Sequence, residues 1–292
     1  MSNRSSCQLS SEAEMPVTIA MSSELLFNQE MRPGTAFYFV RALNAVNAKI
    51  KECCPESKEL FKLILINPKS PHKLNEAIKE LSDLIIDFLE SGEDLVAKLQ
   101  ENKTHLYLSA EPGFKVQEAV NEGIAAAVMF PQTVSEVKES EKCKLRIVFD
   151  GDAVLFSDES ERVNETGLQN FLNHEREKVN EPMREGPFKG FLEALRNMQR
   201  SLSVKGGPTE CTICTYLVTA RDAGNPGYRV LNTLKTWGLE INHAYFLNGY
   251  PKGPLLEMIS PHIFFDDQMK HVEGAQGKGI LACHVPYCKT DQ

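Results

Sequence analysis

The 292-residue chain lacks any apolar run long enough to cross a bilayer. Its most hydrophobic stretch, Gly123 to Phe130, falls far short of the roughly 18 residues that a spanning helix needs, so no membrane is expected as a partner. Basic residues are in deficit: 32 Lys and Arg against 40 Asp and Glu leave a formal net charge of −8. That balance argues against a broad cationic surface for a nucleic-acid polymer. Met1 to Met15 has neither the basic start nor the apolar stretch of a secretory leader, and its Ser and Glu content reads as a disordered tail. The eight cysteines lack the spacing of a small secreted domain. They fit free thiols in a reducing compartment, with the cytosol as the expected location. No short-period repeat, coiled coil or further low-complexity tract is evident.

What is present is a 42% hydrophobic composition, enough for a sizeable core, and an alternation of short β-rich runs with longer helical patterns. This order predicts an α/β fold with a mainly parallel sheet. Strands are expected at Val17 to Ala20, Leu63 to Ile66 and Leu106 to Leu108, then at Leu145 to Phe149, Tyr216 to Val218, Tyr245 to Leu247 and Ile263 to Phe265. Phe37, Val40, Leu43, Val46 and Ile50 recur at three- and four-residue steps and predict a helix over Phe37 to Lys51. Leu74 to Leu81 reads as helix, Leu84 to Leu89 is ambiguous, and Val116 to Met129 reads as one Ala-rich helix. The polar stretch Pro131 to Lys144 suggests a boundary, giving a tail (1–15), an N-terminal α/β region (16–135) and a core domain (136–292).

In the second half, four hydrophobic runs end in polar residues: LRIVFDGD, TYLVTAR, AYFLNGYPKG and HIFFDDQ. Ligands of parallel α/β sheets bind outside the carboxyl ends of the strands, so these ends should share one crevice. They would bring together Asp150, Asp152, Thr219, Lys252, Asp266 and Asp267. So many carboxylates in one place must either protonate or hold a cation, and oxygen donors favour magnesium over zinc. Asp150, Asp152, Asp266 and Asp267 are the expected metal residues. Asp150 can attack phosphorus, Asp152 can protonate a leaving oxygen and later activate water, and Thr219 and Lys252 can steady phosphoryl oxygens. Taken singly, Asp150-Gly151 is as good a turn signal, Asp266-Asp267 a solvated strand end, and Lys252 a surface charge. Only their order in the chain gives them joint meaning.

The ordered set Asp-x-Asp, Thr, Lys, Asp-Asp resembles the four motifs of the haloacid dehalogenase superfamily. FDGDAVLFSDESER, GPFKGFLEAL, YLVTAR, PKGPLLE and PHIFFDDQ resemble the cytosolic type I 5′-nucleotidases over most of residues 145 to 287. The resemblance implies a Rossmann-like sheet with a small cap and magnesium-dependent hydrolysis of nucleoside 5′-monophosphates, AMP or deoxynucleotides, through an aspartyl-phosphate. It leaves open a nucleotide effector such as ADP and a homo-oligomer. In the N-terminal half, VTIAMSSELLF, THLYLSA and the EAVNEGIAAA helix echo the same family, whereas SGEDLVAKLQENK departs from its Gly-Gly-x-x-Pro pattern.

The cap is expected at about 158–186, where Leu168, Phe171 and Leu172 have helical spacing. Phe156, Ser157 and Asp158 at its entrance, with Ala220 and Arg221 after Thr219, are candidate substrate contacts. Arg221 reads equally well as a structural ion pair, and Phe171 reads better as cap core than as a platform for a base. Cys211-Thr-Ile-Cys214 suggests half a zinc or redox site less well than it suggests ordinary thiols. Two alternatives remain: a phosphatase or phosphotransferase for another small phosphate ester, and a phospho-aspartate signalling module.

Overall fold

The computed structural model describes residues 15–58, 60–68, 71–132, 144–204 and 212–286, which leaves most of the expected tail and boundary outside the described residues. In chain order the elements are β1 (Val17–Ser22), α1 (Ser23–Leu26), α2 (Phe37–Cys53), β2 (Phe61–Ile66), α3 (Pro71–Ala77), β3 (Ile85–Leu89), α4 (Leu95–Glu101), β4 (Thr104–Ser109), α5 (Phe114–Asn121) and β5 (Ala125–Val128). The second half continues with β6 (Leu145–Phe149), α6 (Glu159–Glu165), α7 (Leu168–Glu177), α8 (Lys189–Val204), β7 (Ile213–Thr219), α9 (Asn225–Thr236) and β8 (His243–Phe246). It closes with α10 (Gly253–Ile259), β9 (Ile263–Asp266), α11 (Met269–Gln276) and β10 (Ala282–His284). No helix of the described residues is long and apolar enough to cross a membrane.

The ten strands form one sheet in the order β3-β2-β1-β4-β5-β10-β9-β6-β7-β8. Every pairing is parallel except β10 with β5, where the two halves meet. Central strands of such a sheet are covered on both faces and must be apolar throughout. β6 obeys this, with all five residues buried. Beneath its carboxyl end Phe149, Phe188, Phe191 and Phe265 pack with ring centroids 4.7 to 6.5 Å apart. Each contributes roughly 1.5–3 kcal/mol of burial and together they give the strand end a rigid floor.

β6 has the expected bounds and most other expected strands run slightly longer, whereas the strand expected at Tyr245 to Leu247 is shifted to His243–Phe246; the ambiguous Leu84 to Leu89 contains the edge strand β3. Val116 to Met129 is not one helix. α5 stops at Asn121 and Gly123 takes a positive φ of 80°. The amide of Ile124 then donates to Ala119 O at 2.9 Å and that of Gly123 to Val120 O at 3.0 Å. This is the Schellman end that glycine permits. The alanines beyond it form the fully buried β5, where close packing selects small residues over helix propensity.

The two halves are repeats of one structure, β3-β2-β1-β4-β5 matching β8-β7-β6-β9-β10. Met21 pairs with Leu65 and Leu108 as Phe149 pairs with Leu217 and Phe265. In that register the same side-chain bonds recur. Thr18 N donates to His105 Nδ1 at 3.1 Å, and Arg146 N to His262 Nδ1 at 3.0 Å. Asn47 Nδ2 donates to Phe61 O at 2.9 Å, and Gln199 Nε2 to Ile213 O at 2.7 Å. Isolated bridges join Phe27 to Pro33 and Phe156 to Glu185, and just beyond them Gly34 N donates to Leu26 O and Gly186 N to Leu155 O. Between these bridge partners the second copy carries α6 and α7, where the first has a tight turn.

Both repeat histidines accept a backbone N–H, so both are neutral in the folded chain. Burial holds His105 below its ordinary value of 6.5, and burial followed by the nearby Arg146 pushes His262 down to about 4. Unfolded, both rings take protons near 6.5. Unfolding therefore takes up protons below that pH, and the stability present above 6.5 falls as pH drops toward 4. Urea unfolding from pH 7 to 4.5 should show this fall, and His262→Gln, an acceptor that does not titrate, should flatten it. Equal slopes in the two chains would contradict the assignment.

Candidate active site

The switch point between β6 and β9 gathers the charged residues. Asp150 follows β6 directly, and its amide donates to Phe265 O at 2.9 Å. Its Oδ1 accepts the Gly151 amide at 2.6 Å. The turn Gly151–Leu155 is irregular, with Ala153 at φ 58°, a left-handed conformation that costs a β-carbon residue about 1–2 kcal/mol. Gly151 lies against β7: a Cβ there would stand 3.3 Å from Thr219 Oγ1. Lys252, at the start of α10, reaches back so that its Nζ lies 2.7 Å from Asp150 Oδ1 and 2.7 Å from Asp266 Oδ2.

These three side chains are almost wholly buried. Desolvation, with Asp266 adding to it and Lys252 opposing it, pushes Asp150 up to about 7. Burial would raise Asp266 too, but Lys252 and His271 outweigh it and hold that carboxyl low. Burial disfavours the Lys252 ammonium, and its two carboxylate partners more than restore it, leaving it raised. Asp267 is pushed up to about 8 by burial and by Asp150 and Asp266, and its Oδ1 is buried without a hydrogen-bond partner. His271 in α11 places Nδ1 3.2 Å from both oxygens of Asp266. Asp150, Asp266 and His271 each offer a ligand atom within 4.8 Å of the others.

The structure thus brings Asp150, Thr219, Lys252, Asp266 and Asp267 to one place. Asp152 instead turns toward Arg221, which holds both its oxygens at 2.7 and 2.8 Å. Arg221 thus forms an ion pair, and its guanidinium also stacks 5.5 Å from the Phe171 ring. Phe156 is fully buried against Trp237 at 5.5 Å. Ser157 Oγ is buried with no partner, and Asp158 accepts from Arg162 Nε at 2.6 Å. Ala220 follows Thr219 at the end of β7, and its carbonyl accepts the Gly249 amide at 2.8 Å. Cys214 and Cys283 lie on β7 and β10, with β9 and β6 between them in the sheet, while Cys211 and Cys288 lie outside the described residues.

Sequence reasoning missed His271 and a buried chain of charges. Arg221 continues to Glu175 at 2.7 Å, Glu175 to Arg229 at 3.0 Å, and Arg229 to Glu159 at 2.6 Å. Ser160 Oγ donates to Glu175 as well, at 2.7 Å. Glu159, Ser160 and Glu175 belong to α6 and α7, and Arg229 to α9, so the chain of charges fastens the inserted helices to the sheet domain. A signal existed: Arg229 falls in step with Pro226, Val230 and Thr233 on the buried face of α9. Gly186 completes the neck, where a Cβ would stand 2.3 Å from Phe156 O.

Acids and a lysine at a parallel-sheet switch point, under a helical insertion, define the class: an α/β protein with a buried charged crevice at the carboxyl ends of its strands. A family model described as 5′-nucleotidase matches residues 14–292, and the chain belongs to that family. It is 44% identical over 264 residues to cytosolic 5′-nucleotidase 1B of Homo sapiens, a match covering 88% of this chain and 42% of the relative. The chain therefore spans less than half the length of that relative. Among solved structures it matches a short-chain dehydrogenase/reductase of Sinorhizobium meliloti at 10% identity and a TM-score of 0.26, covering 81% of this chain and 96% of that one, too weak a likeness to carry an argument.

Removing Glu175 would take one carboxylate partner from each of two buried guanidinium groups, leaving Arg221 with Asp152 alone and Arg229 with Glu159 alone. Glu175→Leu is expected to lower unfolding stability by about 3–5 kcal/mol, measured by chemical denaturation. A loss under about 1 kcal/mol would show that the charge chain does not anchor the insertion.

Proposed function

We propose that this chain hydrolyses nucleoside 5′-monophosphates, AMP or deoxynucleotides, to nucleoside and phosphate, with Asp150 as nucleophile. The observation that carries the reading is Lys252 between Asp150 and Asp266 at the switch point, in a member of the 5′-nucleotidase family. A divalent cation fits the residues present: an orphaned carboxylate oxygen of Asp267 is buried beside Asp150 and Asp266. Asp150, Asp266 and Asp267 would hold magnesium, which when bound supplies positive charge against the carboxylates and the phosphoryl oxygens.

The remaining steps belong to the protein. Asp150 forms a bond to phosphorus as the bond from phosphorus to the 5′ oxygen breaks, giving an aspartyl-phosphate and a nucleoside alkoxide that takes up a proton. In this reading Asp152, protonated from solvent beforehand, gives that proton. Because Arg221 holds both its oxygens, one of those bonds must open first. Asp152 then takes a proton from the attacking water, and phosphate leaves with Asp150 restored. Lys252 and Thr219 steady the oxygens on which negative charge gathers. The insertion Ser157 to Arg184 serves as the cap, excluding water while its fixed attachment through Glu175 keeps Arg221 in place.

Phosphate release from AMP with magnesium is the test. Asp150→Asn should abolish it while the far-UV spectrum is unchanged, and Lys252→Ala should lower kcat by about 10²-fold or more. Undiminished turnover in Asp150→Asn would refute the nucleophile, and a preference for sugar phosphates across a substrate panel would refute the substrate class.

A further inference from the structure

The N-terminal half contains a crevice at the place where the C-terminal half contains its candidate active site. Since Met21 has the ladder position of Phe149, Ser22 stands where Asp150 does, Asn67 where Thr219 does, and Ser109 and Ala110 where Asp266 and Asp267 do. Ser22, Asn67, Ser109 and Ala110 all line one cavity of about 310 Å³. The chain runs from β1 to β2 on one side and reaches β4 on the other, so this too is a switch point, where open α/β sheets bind ligands. The volume lies within the range of small-molecule sites.

The chemistry of the two crevices differs. The carboxylates at 150, 266 and 267 are replaced by two hydroxyls and a methyl group. Without that acid cluster no divalent cation is needed to admit an anion, and no aspartate is present to attack it. Residues with hydrogen-bond donors line the N-terminal crevice instead. Ser22 Oγ accepts the Ala110 amide at 3.2 Å and keeps its own proton for a ligand. Ser91 Oγ accepts from Asn67 Nδ2 at 2.5 Å and does the same. Lys115 Nζ donates one N–H to Gly92 O at 2.7 Å and carries two more. Two hydroxyl donors and an ammonium suit phosphate oxygens. Glu24 and Glu111 stand exposed at the rim, where water screens them and where carboxylates can accept sugar hydroxyls.

We propose that this crevice is a second ligand site, which binds a small phosphate monoester without metal and without hydrolysing it. Its place rests on the fold alone, and its ligand class rests also on the reading of the catalytic half.

Equilibrium dialysis of radiolabelled AMP against the intact chain in EDTA tests it, with Lys252→Ala used to remove the cation of the catalytic crevice. The Lys252→Ala chain should bind AMP, and inorganic phosphate should displace it. Adding Ser22→Ala and Lys115→Met should weaken binding by about tenfold or more, the loss expected for hydrogen bonds to a charged group. Ser91→Trp, which fills the crevice, gives a second variant should the first fold poorly. No AMP bound by Lys252→Ala in EDTA, AMP that phosphate does not displace, or binding unchanged by both crevice variants would overturn the proposal. Failure of the wild-type chain to hydrolyse AMP with magnesium would overturn the catalytic reading instead and leave this binding result to stand on its own.

Discussion

Two carboxylates buried within 4.8 Å of one another repel by roughly 3–4 kcal/mol at an effective dielectric near 20, and burial adds to the penalty. Asp150 and Asp266 are such a pair, and Lys252 lies between them at 2.7 Å from each. Much of the second half follows from satisfying that constraint. β6 and β9 must be adjacent to set the two acids side by side, and the loop after β8 must return far enough to deliver the lysine at the start of α10. The phenylalanine floor beneath Phe149 and Phe265 keeps the strand ends from shifting.

The first half shows what the same backbone does when that constraint is absent. With Ser22 and Ser109 at the equivalent ladder positions there is no charge to neutralise, and the turn after β1 closes through Phe27 and Pro33 without inserted helices. In the second half the equivalent opening is occupied by α6 and α7, tied down by the buried series Asp152, Arg221, Glu175, Arg229 and Glu159. Strand-end carboxylates, Lys252 and the insertion therefore occur together in one copy of the fold, while the other has serines and an alanine at the strand ends and Lys115 from α5 beside them. This division gives the halves different electrostatics on one continuous sheet.

What was legible in the sequence had a local physical cause. LRIVFDGD and HIFFDDQ end apolar runs with acids, and a buried parallel strand leaves no other place for those acids than its carboxyl end. Val116 to Met129 misled because alanine satisfies both a helix and a crowded central strand, and only Gly123 marked the change. β10 is three residues long and too short to show a period. His271 lies within a helix whose pattern is ordinary, and its role depends on how α11 packs beside Asp266. The pairing of Asp152 with Arg221 spans residues far apart in sequence, and no spacing rule reaches that far. The repeat was hidden for a related reason: what recurs is register, backbone bonding and two histidine contacts, while the side chains at the strand ends were replaced.

In the proposed reaction the carboxylate held by Lys252 becomes the phosphoryl acceptor. Acid quenching of the chain during turnover of AMP labelled at phosphorus, followed by peptide mapping, examines that atom directly. Label is expected on the peptide containing Asp150, and it should disappear when the quenched sample is exposed to hydroxylamine, as an acyl phosphate requires. A chain that releases phosphate at full rate while its label maps to another residue would contradict the account.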